Sequence, residues 1–200
     1  ISDLHLHSFK NRGKTLQKFV DVINKQDADI VVVTGDLVSY GPWELDDLED
    51  ILSKIKTKEG VFSILGNHDY STYSNFPDSL RWHYVEELKQ RQTAMGWTLL
   101  LNENVPLTRG EDTISLIGVE NVSAHKSFFS YGNLEKAMQG ADGKYKILLS
   151  HDPTHWELEV KDIQEIDLTL SGHTHAMQFS ILGWSPSSFI FDYVSGLFQH

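Results

Sequence analysis

Asp3, His5, Asp36, Asn67, His151, His173 and His175 are the side chains of this sequence whose types and positions could do chemistry together. Each stands at or just past the end of a short apolar run: residues 1–5, 30–36, 61–69, 147–151 and 168–175. Carboxylate, carboxamide and imidazole donors without sulfur suit Mn, Fe or Zn, and the donor types do not choose among these metals. Two such ions about 3.5–4 Å apart can lower the pKa of a shared water and clamp the attacking and leaving oxygens of a phosphoryl displacement. The chemistry implied is metal-dependent hydrolysis of a phosphate ester.

The spacing adds detail. Asp3 and His5, at i and i+2 of an extended strand, would leave the same face. Asp36 follows Gly35 at a strand end, where one carboxylate can reach two cations. His68, within Gly66-Asn67-His68-Asp69, would sit beside the ions, and an imidazole placed there can act as an acid near neutral pH.

These side chains need elements to bring them together. A short apolar run bounded by Gly and polar residues reads as a buried strand of a parallel sheet. Ligands of open α/β sheets collect beyond the carboxyl ends of such strands, so the five tips are expected to converge. Leu16, Phe19, Val20 and Ile23 fall at i, i+3, i+4 and i+7 and predict an amphipathic helix. Leu45, Leu48, Leu52 and Ile55 predict a second, with Asp46, Asp47, Glu49 and Asp50 read as its solvated start. A third is expected over residues 79–92, with Trp82, His83 and Tyr84 serving helix packing.

Further along, strands are expected at 97–101, 105–108 and 113–119, the last two joined by the hairpin signal Arg109-Gly110-Glu111-Asp112. Residues 120–132 read as a long loop whose Phe128, Phe129 and Tyr131 either mark a contact surface or fold back onto the core. A short helix at 133–139 and strands at 177–182 and 189–194 complete an α/β chain read as one domain, 1–200.

Bulk properties set limits on this reading. A chain of 200 residues can bury about 70% of the surface its unfolded form exposes. Zero cysteines exclude disulfides and thiolate metal sites. A net charge of −11 argues against a broad phosphate-tracking surface, so no nucleic-acid partner is expected. No run approaches the roughly 18 apolar residues of a membrane-spanning helix. The start without Met, and the end directly after an aromatic-rich stretch, read as a fragment lacking part of the first strand and the final strands. A targeting or anchoring segment is expected upstream.

Taken in order, Asp-x-His, Gly-Asp, Gly-Asn-His-Asp, a lone His and Gly-His-x-His resemble the calcineurin-like metallophosphoesterases over nearly the whole chain. The resemblance implies a four-layer α/β/β/α sandwich, two mixed sheets flanked by helices. It implies two divalent or mixed-valence ions, one held by Asp3, His5, Asp36 and His175, the other by Asp36, Asn67, His151 and His173. A metal-bridging hydroxide would attack phosphorus in line, on a phosphodiester, pyrophosphate or phosphomonoester, with a diester favoured over a monoester. His68 would protonate the leaving group or touch the transition-state oxygen, and Asp69 would orient its ring.

Residues 150–156, residues 172–179 and Trp184-Ser185-Pro186 resemble a bacterial branch whose members often carry N-terminal membrane segments. Membrane association through such a segment and a small-molecule or lipid-linked phosphate ester are implied. Ala176 stands where that branch often has Gly.

Two alternatives accompany this reading. Asp3-Leu4-His5-Leu6-His7-Ser8 also resembles the opening motif of the polymerase-and-histidinol-phosphatase family, metal-dependent phosphoesterases on a distorted barrel. There His7 would touch metal or substrate; otherwise it is a loop residue. Metal-depleted proteins of the sandwich fold act as protein-binding scaffolds, but none of the seven ligand positions here is substituted. His155 and Trp156 either line the mouth of the cleft or begin a helix after Asp152-Pro153.

Overall fold

Four consecutive β-branched residues, Ile30–Val33, form strand β1 with Val31 and Val33 buried, as branched side chains on a pleated surface favour. The computed structural model describes residues 1–125, 128–174 and 196–199. The chain divides into two compact units, Ile1–Leu101 and Asn102–His200. In the first, β1, β2 (Gly60–Ser63) and β3 (Thr98–Leu99) make a parallel sheet in that order, with Ile30 opposite Gly60 and Phe62 opposite Thr98. Helix α1 (Arg12–Asn24) precedes β1 and buries Leu16 and Val20, on the predicted face.

Two expectations for this unit change. Residues 1–5 run beside β1 and its following loop, with the Ile1 ammonium donating to the Val32 carbonyl and the amides of Thr34 and Asp3 donating to Ile1 and Gly35. They form no regular strand, because Asp3 (φ 53°) and His5 (φ 41°) are left-handed. The same-face argument from strand alternation therefore does not apply to this pair. The helix predicted through Leu45 and Ile55 is broken into a 3₁₀ turn, Pro42–Leu45, and a single helical turn, α2 (Glu49–Leu52). Asp47 between them is left-handed at φ 65°, which no helix continues through.

Leu45, Leu48, Leu52 and Ile55 are all buried, so the spacing reported the buried face but not the element. Helix α3 (Asp78–Ala94) contains the predicted span and buries Val85, Leu88 and Gln92. Its Arg91 pairs with Asp46 at 2.8 Å and Glu49 at 3.5 Å. Tyr84 packs against Trp43 and Phe76 as expected of a packing residue, whereas Trp82 is 40% exposed beneath the Arg81 guanidinium.

In the second unit, β4 (Glu103–Arg109) and β5 (Asp112–Gly118) form the predicted hairpin, closed between Arg109 and Asp112 with Gly110 left-handed at φ 63°. β5 pairs in parallel with β6 (Tyr145–Leu149), and β6 with β7 (Leu168–Leu170), so this sheet is mixed. Helices α4 (Leu134–Met138) and α5 (Thr154–Leu158) accompany it, and Asn133 caps α4 by accepting from the Lys136 amide. Ile117, Val119, Leu134, Ala137, Leu148 and Val160 form its core. The expected α/β class, two sheets with flanking helices, is the one observed.

No helix of the described residues is long and apolar enough to cross a membrane. His175, Ala176, the strands expected at 177–182 and 189–194, and the segment Gly183-Trp184-Ser185-Pro186 lie outside the described residues.

The loop expected at 120–132 is held at its base. The amides of Tyr131 and Gly132 both donate to the Asn121 carbonyl, and Asn102 bridges Glu120, Tyr131 and Asn133. A Cβ added at Gly132 would meet the Glu120 carbonyl oxygen at 2.6 Å and Val122 at 2.2 Å. Gly132→Ala is therefore expected to cost about 1–3 kcal/mol of unfolding free energy. The measurement is the urea midpoint at constant slope, and an unchanged midpoint would show that the loop base yields freely.

Candidate metal centre

The centre of the first unit is built on the loops that follow β1 and β2. Gly35 (φ 93°) and Asp36 (φ 53°) turn the chain sharply at the end of β1, and Asp36 is 1% exposed. After β2, the 3₁₀ turn His68–Tyr70 places Asp69, which is fully buried. Its carboxylate accepts from the amides of Asp36 (2.8 Å), Gly66 (2.9 Å) and Val38 (3.1 Å), and so locks the two loops together. The His68 amide in turn donates to the Asp36 carboxylate at 2.9 Å. Hydrogen bonds from several backbone amides are what let a carboxylate stay charged where water is excluded.

Around Asp36 the ring nitrogens gather. His5 Nε2 lies 3.5 Å from Asp36 Oδ2, and the rings of His5 and His68 meet edge to face at 4.7 Å. Donor atoms of His5, Asp36 and His68 all lie within 4.8 Å of one another. Oxygen and imidazole nitrogen around a buried carboxylate fit a divalent transition metal. His68 thus stands inside the cluster, a placement that serves a proton donor as well as a ligand. Asp3 lies outside these three, its carboxylate accepting from the Ser2 hydroxyl. Asn67 is buried and its amide nitrogen donates to the Tyr73 hydroxyl at 2.8 Å.

The Asp69 carboxylate accepts from backbone amides, and His68 Nδ1 lies 2.9 Å from the Ser39 carbonyl oxygen. A backbone carbonyl orients the ring.

Sequence reasoning passed over three residues here. Ser39 joins both rings, its hydroxyl 3.3 Å from His5 Nδ1 and its carbonyl on His68. Glu44, 1% exposed, accepts from the amides of His7, Ser39, Tyr40 and Gly41, fixing the loop that carries Ser39. Its signal was present, since Pro at the first position of a helical turn with Glu at the third marks a start whose carboxylate reaches back. Tyr73 stacks on His68 at 3.9 Å and 13°. Burial pushes the Tyr73 hydroxyl above its ordinary pKa; the Asn67 hydrogen bond opposes this and the Asp36 charge adds to it. His7 is exposed, lies in a 3₁₀ turn (Leu6–Ser8) rather than in an irregular loop, donates its amide to Glu44 and packs its ring edge-on against Tyr40. Two sheets rather than a barrel remove the alternative that His7 suggested.

In the second unit, His151 and His173 follow β6 and β7. His151 is fully buried, and His173 is left-handed at φ 72°. His173 Nδ1 lies 3.2 Å from His151 Nε2, and its Nε2 lies 3.6 Å from Asp152 Oδ2. The Gly172 amide donates to the His151 carbonyl and Ser150 to Leu170, fixing the two loops in register. Phe128 meets the His173 ring edge-on at 5.1 Å, so it folds back, whereas Phe129 is 44% exposed.

His155 does not line a mouth. It is fully buried between the Ser150 hydroxyl (2.8 Å) and Glu159 (3.0 Å), and burial holds its pKa below the ordinary histidine value despite Glu159. Trp156 packs on the core of this unit. Asp152 starts α5 by accepting from the amide and hydroxyl of Thr154, so the helix-start reading applies to both residues.

Comparison with known proteins adds the following. A family model described as calcineurin-like phosphoesterase matches residues 1–177. The chain is 31% identical over 209 residues to an uncharacterized metallophosphoesterase of Helicobacter pylori strain J99, covering 100% of this chain and 50% of that protein. It is 32% identical over 184 residues to a transmembrane protein with metallophosphoesterase domain from Danio rerio, covering 89% of this chain and 40% of that one. The chain thus spans half or less of the length of these relatives. The Thermus thermophilus sulfate thiohydrolase SoxB superposes with a TM-score of 0.54 at 14% identity, over 80% of this chain and 34% of that one, a likeness of fold alone.

The buried carboxylates give a stability test. Glu44→Gln presents an NH₂ group to donors that need an acceptor, and is expected to lower the unfolding free energy by about 2–4 kcal/mol. Asp69→Asn should cost a similar amount. Urea denaturation of each variant checks this, and midpoints equal to wild type would show that the loops do not depend on these carboxylates.

Proposed function

The chain belongs to the calcineurin-like phosphoesterase family, and on that premise we propose that it is a dinuclear metal-dependent phosphoesterase that hydrolyses a phosphodiester or pyrophosphate in preference to a monoester. The observation that carries this is the convergence of His5, Asp36 and His68 donor atoms within 4.8 Å around a carboxylate 1% exposed. Asp3, His5, Asp36, Asn67, His151, His173 and His175 would supply ligands to ions of Mn, Fe or Zn. Bound ions of this kind supply positive charge to the phosphoryl oxygens and lower the pKa of water.

The protein's own groups have separable tasks. Asp36 places one buried negative charge where cations would otherwise repel each other. The Ser39 carbonyl can only accept, so His68 Nδ1 carries its proton and Nε2 is the atom that delivers one to the departing oxygen. Asp69 and Glu44 keep the loops in place, acting through main-chain amides. The substrate we infer is a small-molecule or lipid-linked phosphate ester. Nucleic acid is disfavoured by the net charge of −11.

Elemental analysis after loading with Mn, together with hydrolysis of bis(p-nitrophenyl) phosphate and its monoester counterpart, tests the reading. Two ions per chain and faster diester turnover are expected; less than one ion and no turnover would favour a metal-depleted scaffold. Asp36→Asn should lower metal occupancy and cut turnover by at least ~10²-fold. His68→Ala should keep the metals and slow the chemical step. An emptied site in His68→Ala would instead make His68 a ligand.

A further inference from the structure

Tyr73 is 44% exposed, yet it makes two directed contacts to the candidate centre. Its ring lies almost flat on His68, with centroids 3.9 Å apart and planes 13° from parallel. Its hydroxyl accepts from the Asn67 amide nitrogen at 2.8 Å. The segment that carries it is folded back deliberately: Ser71 is left-handed at φ 54°, the Thr72 hydroxyl donates to the Asn67 carbonyl at 3.3 Å, and the Ser74 hydroxyl donates to the Tyr40 carbonyl at 3.1 Å.

A carboxamide can coordinate a cation only through its oxygen, so the partner of its nitrogen determines how well the oxygen is aimed. An imidazole that delivers a proton needs a fixed ring plane. His68 has one edge on the Ser39 carbonyl and one face on Tyr73, which together leave its plane little freedom.

We propose that Tyr73 is a positioning residue for the phosphoester reaction, its hydroxyl bracing Asn67 as a metal ligand and its ring holding the plane of His68. This rests on the function proposed above. The two contacts sit on different atoms of one side chain, so two substitutions separate them. Tyr73→Phe removes the hydroxyl and keeps the ring. Tyr73→Leu removes both.

The experiment uses the full chain, with Mn binding followed by calorimetry and turnover by steady-state kinetics. Tyr73→Phe is expected to weaken Mn binding about tenfold, in the range typical of a partner that orients a metal ligand. At saturating Mn it should act on bis(p-nitrophenyl) phosphate and diphenyl phosphate with the same kcat ratio as wild type. Tyr73→Leu should weaken Mn binding equally and also lose about tenfold more kcat on diphenyl phosphate than on bis(p-nitrophenyl) phosphate, because phenolate needs a proton more than nitrophenolate does. A general loss of structure would move both substrates together and lower the urea midpoint. Unchanged Mn affinity in Tyr73→Phe, or an unchanged substrate ratio in Tyr73→Leu, overturns the corresponding half of the proposal while leaving the enzyme reading intact. A wild-type chain that neither binds Mn nor turns over either diester overturns both.

Discussion

The first unit hangs on one buried carboxylate. Asp69 takes amides from Asp36 and Val38 on one loop and from Gly66 on the other, so the ends of two parallel strands are fastened at a single point. Parallel strands have no hairpin to hold their tips together, and here the cross-brace comes from a side chain. The brace is reciprocal, since the His68 amide beside Asp69 donates back to Asp36. The placement of His5 and His68 around Asp36 follows from it. A site of this kind is rigid because its charges are solvated by peptide groups rather than by water.

That rigidity supports backbone conformations that would otherwise be disfavoured. Asp3, His5, Asp36 and His173, all candidate ligands, have φ values of 53°, 41°, 53° and 72°. For residues other than glycine such geometry costs about 1–3 kcal/mol each. In the first unit the cost is offset by specific hydrogen bonds: the Asp3 amide to Gly35, the His5 amide to Asp36 and the Asp36 amide to Asp69. Non-glycine residues turned this way at the ends of strands lift their side chains out of the regular pleat, which is how donors from separate segments can face one another.

Much of this was legible in the sequence because the signals were local. The i, i+3, i+4 pattern found α1, the Gly110 turn found the hairpin, and four of the five apolar runs became strands with their polar tips just beyond. The misses were tertiary in origin. The spacing of Leu45, Leu48, Leu52 and Ile55 is met as well by a 3₁₀ turn, a left-handed Asp47 and one helical turn as by a continuous helix, since each buries the same side chains. The first apolar run lacked a pleat because Asp3 and His5 are left-handed. Tyr73 gave no signal at all, because its partners, the Asn67 amide and the His68 imidazole, are not periodic neighbours.

Glu44 grips main chain, not side chains: its acceptors are filled by the amides of His7, Ser39, Tyr40 and Gly41. A peptide N–H is the same for every residue except proline. Tyr40, 41% exposed and beside Ser39, can therefore be exchanged for almost any other side chain without disturbing the grip. The side chain at position 40 is in this sense decoupled from the carboxylate grip that fixes the neighbouring Ser39 against the two histidine rings.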